Sequence, residues 1–411
     1  MLPDMLLPPY DVEIETLFDS FVPIDNRELT ALTLFAGSAG ANYSDQLADS
    51  FTFSRDGITI EIHGENFDYS GGVPTSGLVE QFAVLFGNTS AYRWAAIADE
   101  ENDFQGLPIS VFLNATDPLA LAEVLFAQND IVQSNSFESD VLYGFAGDDQ
   151  INGGNGANRL YGGDGNDQVN GGRDDDRLYG DAGDDWLSGS FGNDILNGGE
   201  GSDSANFYRR LAPVDLKLKN EKTAKAHIGF NEVDKLKSVE NALGGLAADK
   251  LTGDRGNNQF DGDAGNDILN GKAGNDTLAG GYGYDTLTGG KGDDIFLFDK
   301  LLALSGGIIN IDTITDFGNG DDSIYLRQLV FGELAEGVLS ADNFLAAPNA
   351  IGGLNGKQYI VYNTSNGALY YDSSGDGSGM IFQFATVKGA PQLTAADFFV
   401  FIPKYDIDID P

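Results

Sequence analysis

Apolar residues recur with three different rhythms along this 411-residue chain. Near the front, "DSFTFSRDGITIEIHGENFDYS" alternates apolar and polar positions on either side of Asp56-Gly57. A period of two on both sides of an Asp-Gly pair predicts two strands joined by a tight turn. "DPLALAEVLFAQND" (Asp117–Asp130) spaces its apolar residues for a short amphipathic helix, with Asp117 as its cap. In the middle of the chain the rhythm slows to one apolar residue in nine: Ile151, Leu160, Val169, Leu178, Leu187, Leu196 and Ala205, then Leu251, Phe260, Leu269, Leu278, Leu287 and Phe296. Towards the end, "QYIVYNTSNGALYYDSSGDGSGMIFQFATV" alternates again, as a hairpin about Asn366-Gly367.

The nine-residue rhythm has two more columns in register. Thirteen units start at Gly144, Gly153, Gly162, Gly171, Gly180, Gly189 and Gly198, and at Gly244, Gly253, Gly262, Gly271, Gly280 and Gly289. Position 1 is Gly in all thirteen. Position 4 is Gly in eleven, with Asp174 and Ala247 as exceptions, and position 6 is Asp in eleven, with Asn158 and Asn258 as exceptions. A flexible acidic linker would not hold three columns in register twice. A phosphate loop would lead to a helix and usually supply a Lys, whereas these loops carry Asp and lead to a β-type position.

The unit G-G-x-G-x-D-x-U-x resembles the calcium-binding nonapeptide repeat of RTX (hemolysin-type) proteins. That resemblance implies a parallel β-roll in which positions 7 to 9 form a short strand and only position 8 points inward. Positions 1 to 6 then turn back, with Gly supplying positive φ angles. Two units make one turn of a flattened right-handed roll, unit i stacks on unit i+2, and an ion sits between their loops. On this sequence one edge of the first block carries Asp149, Asp167, Asp185 and Asp203, and the other carries Asn158, Asp176 and Asp194. In the second block the edges are Asp249, Asp267 and Asp285, then Asn258, Asp276 and Asp294. Five stacked pairs in one block and four in the other give roughly nine ions. Oxygen ligands from carboxylates and loop carbonyls suit Ca²⁺ better than Mg²⁺ or Zn²⁺. "NSFESDVLY" (135–143) reads as a degenerate leading unit with Asp140 at position 6.

Composition points the same way. The formal net charge is −41, which argues against nucleic acid and anionic membranes as partners and makes divalent cations the natural counter-charge. There is no Cys, so no disulfide or thiol chemistry. No run of 18 apolar residues occurs, so no membrane span is expected, and the N-terminus has no basic region or apolar core of a cleaved signal.

Residues 207–243 form a Lys-rich spacer between the repeat blocks, expected to loop outward and temper the acidic field, with a ligand site as the alternative. His227 lies there with no metal-ligand partner at useful spacing. "NIDTITDFGNGDDSIYL" resembles the element that closes the roll in serralysin-like proteins, through Asp312, Ile314, Asp316, Phe317, Gly320, Asp322, Ile324 and Leu326. Asp372 and Asp376 fall in a loop that reads as a polar turn, an ion site being the other reading. "LTAADFFVF" predicts a short helical cap from Thr394 and a last strand. The resemblance implies an uncleaved C-terminal signal for the type I secretion machinery, and hence a secreted, extracellular protein.

The expected class is mainly β. Residues 1–134 form a small α+β or β-rich module, 135–206 and 244–297 are the two roll blocks, and 298–411 are a C-terminal β cap with the secretion signal. RTX proteins include proteases and lipases, but the two His (His63 and His227) allow no H-E-x-x-H, and no G-x-S-x-G occurs. The expectation is therefore a non-catalytic calcium-binding surface, matrix or adhesion protein, with exopolysaccharide or a cell surface as its partner. The alternative is an extracellular polysaccharide-cleaving enzyme.

Overall fold

The computed structural model describes residues 139–220, 222–300 and 310–403. Ahead of them it describes the strands Asn42–Leu47, Ser50–Arg55, Ile58–Ser70, Val73–Phe86, Tyr92–Ala96 and Leu107–Pro108, then Asn129 and Ile131–Gln133. The chain falls into two compact units, residues 1–159 and 160–411.

In the first unit, five strands from Asn42–Leu47 to Tyr92–Ala96 pair antiparallel in sequence order, and Leu107–Pro108 pairs with Val73–Phe86. Ser50–Arg55 and Ile58–Ser70 pair antiparallel with Arg55 opposite Ile58, the two strands that the alternation predicts; Asp56 and Gly57 themselves lie outside the described residues. The helix expected over Asp117–Asp130 lies outside the described residues, Asn129 excepted. The unit ends in the first nonapeptide coils: Ile131–Gln133 pairs parallel with Gln150–Asn152, and Leu142 and Ile151 are buried.

The second unit is built of two sheets whose inner faces share one column of apolar residues. Leu160, Leu178, Leu196, Leu251, Leu269 and Leu287 come from one sheet, and Val169, Leu187, Ala205, Phe260, Leu278 and Phe296 from the other. Each is at most 1% exposed. The strands pair parallel with a shift of two units: Leu178 stands opposite Leu196, Leu187 opposite Ala205, Leu251 opposite Leu269 and Leu278 opposite Phe296. A strand this short offers one inward side chain, which explains why one apolar position per nine residues suffices for a core. Turns between strands are made by position 4, where Gly183 (φ 130°) and Gly283 (φ 148°) lie in backbone space that L-residues resist.

The Lys-rich segment 207–243 does not loop outward. It runs through both sheets. Val214–Lys217, Ala224–Ile228 and Glu232–Lys237 form an antiparallel meander inserted between Ile195–Glu200 and Lys250–Thr252, and Asn241–Leu243 bridges Ser204–Asn206 to Gln259–Asp261. The reason lies in its period of two: Val214, Leu216, Ala224, Ala226, Ile228 and Leu236 face inward as core, while the Lys residues between them face out. Within the second unit the repeats on either side of this segment are thereby one continuous roll.

Past the repeats, Asp312–Ile314 extends the first sheet and Ser323–Arg327 the second. Ile381–Val387, Ala368–Asp372, Ile360–Asn363 and Phe344–Ala347 then complete the first sheet, and Phe398–Phe401 with Gly337–Val338 completes the second. Aromatic residues replace the Leu column here: Phe384 packs edge-on against Phe298 (5.1 Å) and Phe331 (5.3 Å). Ile360–Asn363 and Ala368–Asp372 form the expected hairpin, with Gly367 at φ 82°. Thr394 precedes a three-residue 3₁₀ turn (Ala395–Asp397), its N–H donating to Asp397 Oδ2 at 2.6 Å. Among the described residues no helix is long and apolar enough to cross a membrane.

Candidate metal centre

Position 6 of each unit is where the loop turns into the strand, and there the side chain bends back over its own loop. All thirteen predicted site residues are at most 3% exposed: Asp149, Asn158, Asp167, Asp176, Asp185, Asp194, Asp203, Asp249, Asn258, Asp267, Asp276, Asp285 and Asp294. Asp185, Asp194, Asp203, Asp267, Asp276, Asp285 and Asp294 each accept from a backbone N–H one full turn away. The Asp167 N–H donates to Asp185 Oδ1 (2.9 Å), and the Asp185 N–H to Asp203 Oδ1 (3.0 Å). On the other edge the Asp176 N–H donates to Asp194 Oδ1 (2.8 Å). In the second block the same 18-residue step joins Asp249 to Asp267, Asp267 to Asp285, Asn258 to Asp276 and Asp276 to Asp294. In the first unit the Asp140 N–H donates to Asn158 Oδ1 at 2.9 Å, so the leading residue belongs to the same ladder.

The second oxygen is the informative one. Oδ2 of Asp185, Asp194, Asp203, Asp267, Asp276, Asp285 and Asp294 is buried and has no hydrogen-bond donor among the described residues. Burying a carboxylate oxygen without a partner costs several kcal/mol. Repetition of that arrangement along two edges leaves a row of oxygens to be satisfied by a proton or by an external cation. Position 1 shows how the space is reserved. A Cβ on Gly180 would run into Asp185 Oδ2, and one on Gly189 into Asp194 Oδ2. Gly is therefore invariant there because the carboxylate folds over the backbone, leaving room for no side chain.

Electrostatics agree. Burial pushes Asp185 and Asp194 up to about 7 and Asp267 up to about 8, with neighbouring carboxylates adding to the rise at Asp185 and Asp267. Burial also raises Asp203, Asp249 and Asp276 to about 6. A divalent cation at these oxygens would offset the desolvation that raises them. Among the described residues no three His, Asp or Glu side chains converge on one point. The candidate donors are instead one or two carboxylates with nearby backbone carbonyls: a Cβ on Gly262 would meet both Asp267 Oδ2 and Gly280 O, so a carboxylate and a carbonyl approach the same point. Flexible, oxygen-only and carbonyl-rich, this set fits Ca²⁺.

A second ladder runs through position 5. Asn166 Oδ1 accepts the Asp184 N–H (2.8 Å), and Asp184 Oδ1 accepts the Ser202 N–H (2.8 Å). Asn257, Asn275 and Asp293 repeat this, accepting from Asn275, Asp293 and Asp321. Its signal is present in the sequence: position 5 is Asn or Asp in nine of the thirteen units. Four further residues extend the position 6 ladder beyond the repeats. Asp234 and Glu240 accept from Asp194 and Asp203, and Asp312 and Asp322 accept from Asp285 and Asp294. Asp312 and Asp322 stand out in the closing element, but Asp234 is hidden in "GFNEVDKLK", which keeps Gly229, Asp234 and Leu236 at positions 1, 6 and 8 while losing the rest.

Asp372 does not join the ladder. Oδ1 accepts from the Ser374 N–H and hydroxyl, and Oδ2 from the Gly353 and Gly377 N–H groups. Asp376 accepts from Ser374 and Ser378. Both carboxylates are fixed by a polar turn.

The model of the RTX calcium-binding nonapeptide repeat matches the chain four times, at residues 143–178, 170–205, 243–278 and 270–299. These segments are RTX repeats. RTX repeats bind Ca²⁺, and the thirteen position 6 residues lie within the matched residues. No curated protein matches the chain. Among solved structures, an extracellular lipase of Serratia marcescens is similar at 19% identity with a TM-score of 0.23, over 60% of this chain and 40% of that one.

Proposed function

We propose that this chain is a secreted protein whose RTX roll closes on calcium outside the cell and which acts there as a non-catalytic surface, matrix or adhesion component. The buried Oδ2 atoms of the Asp ladder carry this reading. Without a cation the edges repel themselves, so the coils stay open at the low free calcium of a cytosol, a state suited to export by the type I secretion machinery. At extracellular calcium, of order 10⁻⁴ to 10⁻³ M, ion binding supplies the folding free energy. Stacked pairs within the two repeat blocks give roughly nine ions. The absence of an H-E-x-x-H or G-x-S-x-G motif supports a binding role over a hydrolytic one.

Circular dichroism of the full chain tests the switch. The expected result is a large gain of β signal between chelator and millimolar calcium, with little response to magnesium. A β spectrum unchanged in excess chelator overturns the reading.

A further inference from the structure

The meander of residues 214–237 does something the calcium ladder does not require: it places lysines side by side. Lys217 stands opposite Lys225, and Lys225 opposite Lys235, so three lysines form one row across adjacent strands. All three are exposed, as are Lys219 and Lys237 one step further along the same face. Strands lie about 4.8 Å apart, so the row spans about 10 Å. Like charges directly opposite one another destabilise a sheet. A chain with a net charge of −41 has carboxylates in abundance to place between them.

The simplest account, that these lysines neutralise the acidic edges, predicts lysine–carboxylate pairs. Among the described residues the ion pairs within 4.0 Å are Arg210–Glu232 and Lys300–Asp299, and neither involves the row. Asp175, held below the usual carboxylate range chiefly by hydrogen bonds from Asn193, also feels Lys235. Asp215 stands opposite His227 and Lys250 at the margin of the face. The row itself contains no acid.

We propose that this lysine face binds a linear acidic polysaccharide. A flat, exposed row of evenly spaced ammonium groups matches an extended polymer that carries negative charge at regular intervals along its length. Exposed polar neighbours, Thr223, His227 and Asn231, can hydrogen-bond hydroxyl groups. The row continues from Lys235 across Ile195 to the exposed Arg177, which adds a further cation, and it carries no aromatic side chain for base stacking. The inference rests on the calcium-folded extracellular reading above, since the row is assembled only when the roll is closed.

The test uses the full chain in millimolar calcium, with its β spectrum verified first, so that a failure to fold is seen separately from a failure to bind. Labelled hyaluronan (carboxylate) and heparin (sulfate and carboxylate) are titrated, with dextran and single-stranded DNA as comparators. Salt-sensitive binding of hyaluronan, heparin or both is expected, with none to dextran. Binding of heparin alone assigns the face to sulfated polymers, and binding of both assigns it to uronates. The variant K217Q/K225Q/K235Q should keep the β spectrum and lose affinity about tenfold or more, while K388Q should bind as the parent. No binding by the folded parent, equal loss in K388Q, or tighter binding of DNA overturns the proposal. So does a concentration-dependent dimer that the triple variant abolishes, which would give the face to the acidic edge of a second copy.

Discussion

The Asp194 N–H donates to Asp234 Oδ1 at 2.9 Å across a sequence separation of 40 residues. Within the repeat blocks the same contact spans 18. The ladder therefore continues through the inserted meander, although the intervening loop has lost most of the repeat pattern. Asp234→Ala leaves the buried Asp194 N–H without an acceptor and should cost about 1–3 kcal/mol of stability in calcium. Asp234→Asn retains the acceptor and should leave stability close to the parent. Urea titrations in saturating calcium compare the two, and equal losses would show that the charge matters more than the hydrogen bond.

Gly180 makes the cradle testable at a single atom. A Cβ there meets Asp185 Oδ2 and Cγ, so Gly180→Ala must displace the carboxylate. Overpacking of this kind costs about 1–3 kcal/mol. The calcium midpoint should rise, as it should for Asp185→Ala, because Asp185 joins the turns of Asp167 and Asp203. A parent-like midpoint for Gly180→Ala would mean that the carboxylate does not need this position.

The roll should also respond to pH. Asp185 and Asp194 rise to about 7 and Asp234 and Asp267 to about 8, all chiefly through burial, from 3.8 in the open chain. Groups raised on folding bind protons more tightly in the folded state. Their stabilisation of the calcium-free roll is complete below about pH 4 and is lost as pH rises through 6 to 8. Calcium-free protein should thus gain β signal as pH falls from 8 to 5. Calcium uptake at pH 7 should release protons, measurable in weakly buffered solution. Identical calcium-free spectra at pH 8 and pH 5 would contradict the raised carboxylates.

Arg210 ties the meander to the first repeat block. Its guanidinium donates to Ser190 O, pairs with Glu232 and lies 4.7 Å from the Phe191 ring centroid. Arg210→Met should destabilise the calcium-loaded roll by about 2–4 kcal/mol, since it leaves Glu232 partly buried without its cation. Thermal melts in calcium measure this.

The export reading has its own test. Deleting residues 298–411 should trap the protein inside the cell, whereas deleting residues 1–134 should not. Normal secretion of the first truncation would refute a C-terminal signal.

Much of the roll was legible in the sequence because each of its requirements is local. An inward Leu160 or Phe260 needs one apolar residue in nine, a carboxylate folding over its own loop needs Gly180 five residues before Asp185, and the turn at Gly183 needs a residue tolerant of positive φ. Such columns survive in one dimension. The antiparallel pairs Ser50–Arg55 with Ile58–Ser70 and Ile360–Asn363 with Ala368–Asp372 are local for the same reason. Only the tertiary structure decided the fate of residues 207–243. Their alternation is compatible with an outward hairpin or an inserted meander, and the choice rests on parallel pairing of Leu196 with Leu236 and of Leu216 with Leu251, partners 40 and 35 residues apart. Lys217, Lys225 and Lys235 are likewise scattered in sequence and become a row only through antiparallel register. A pattern of polar and apolar positions fixes which face of a strand is buried. Which strands lie side by side is settled by the sheets that bury that face.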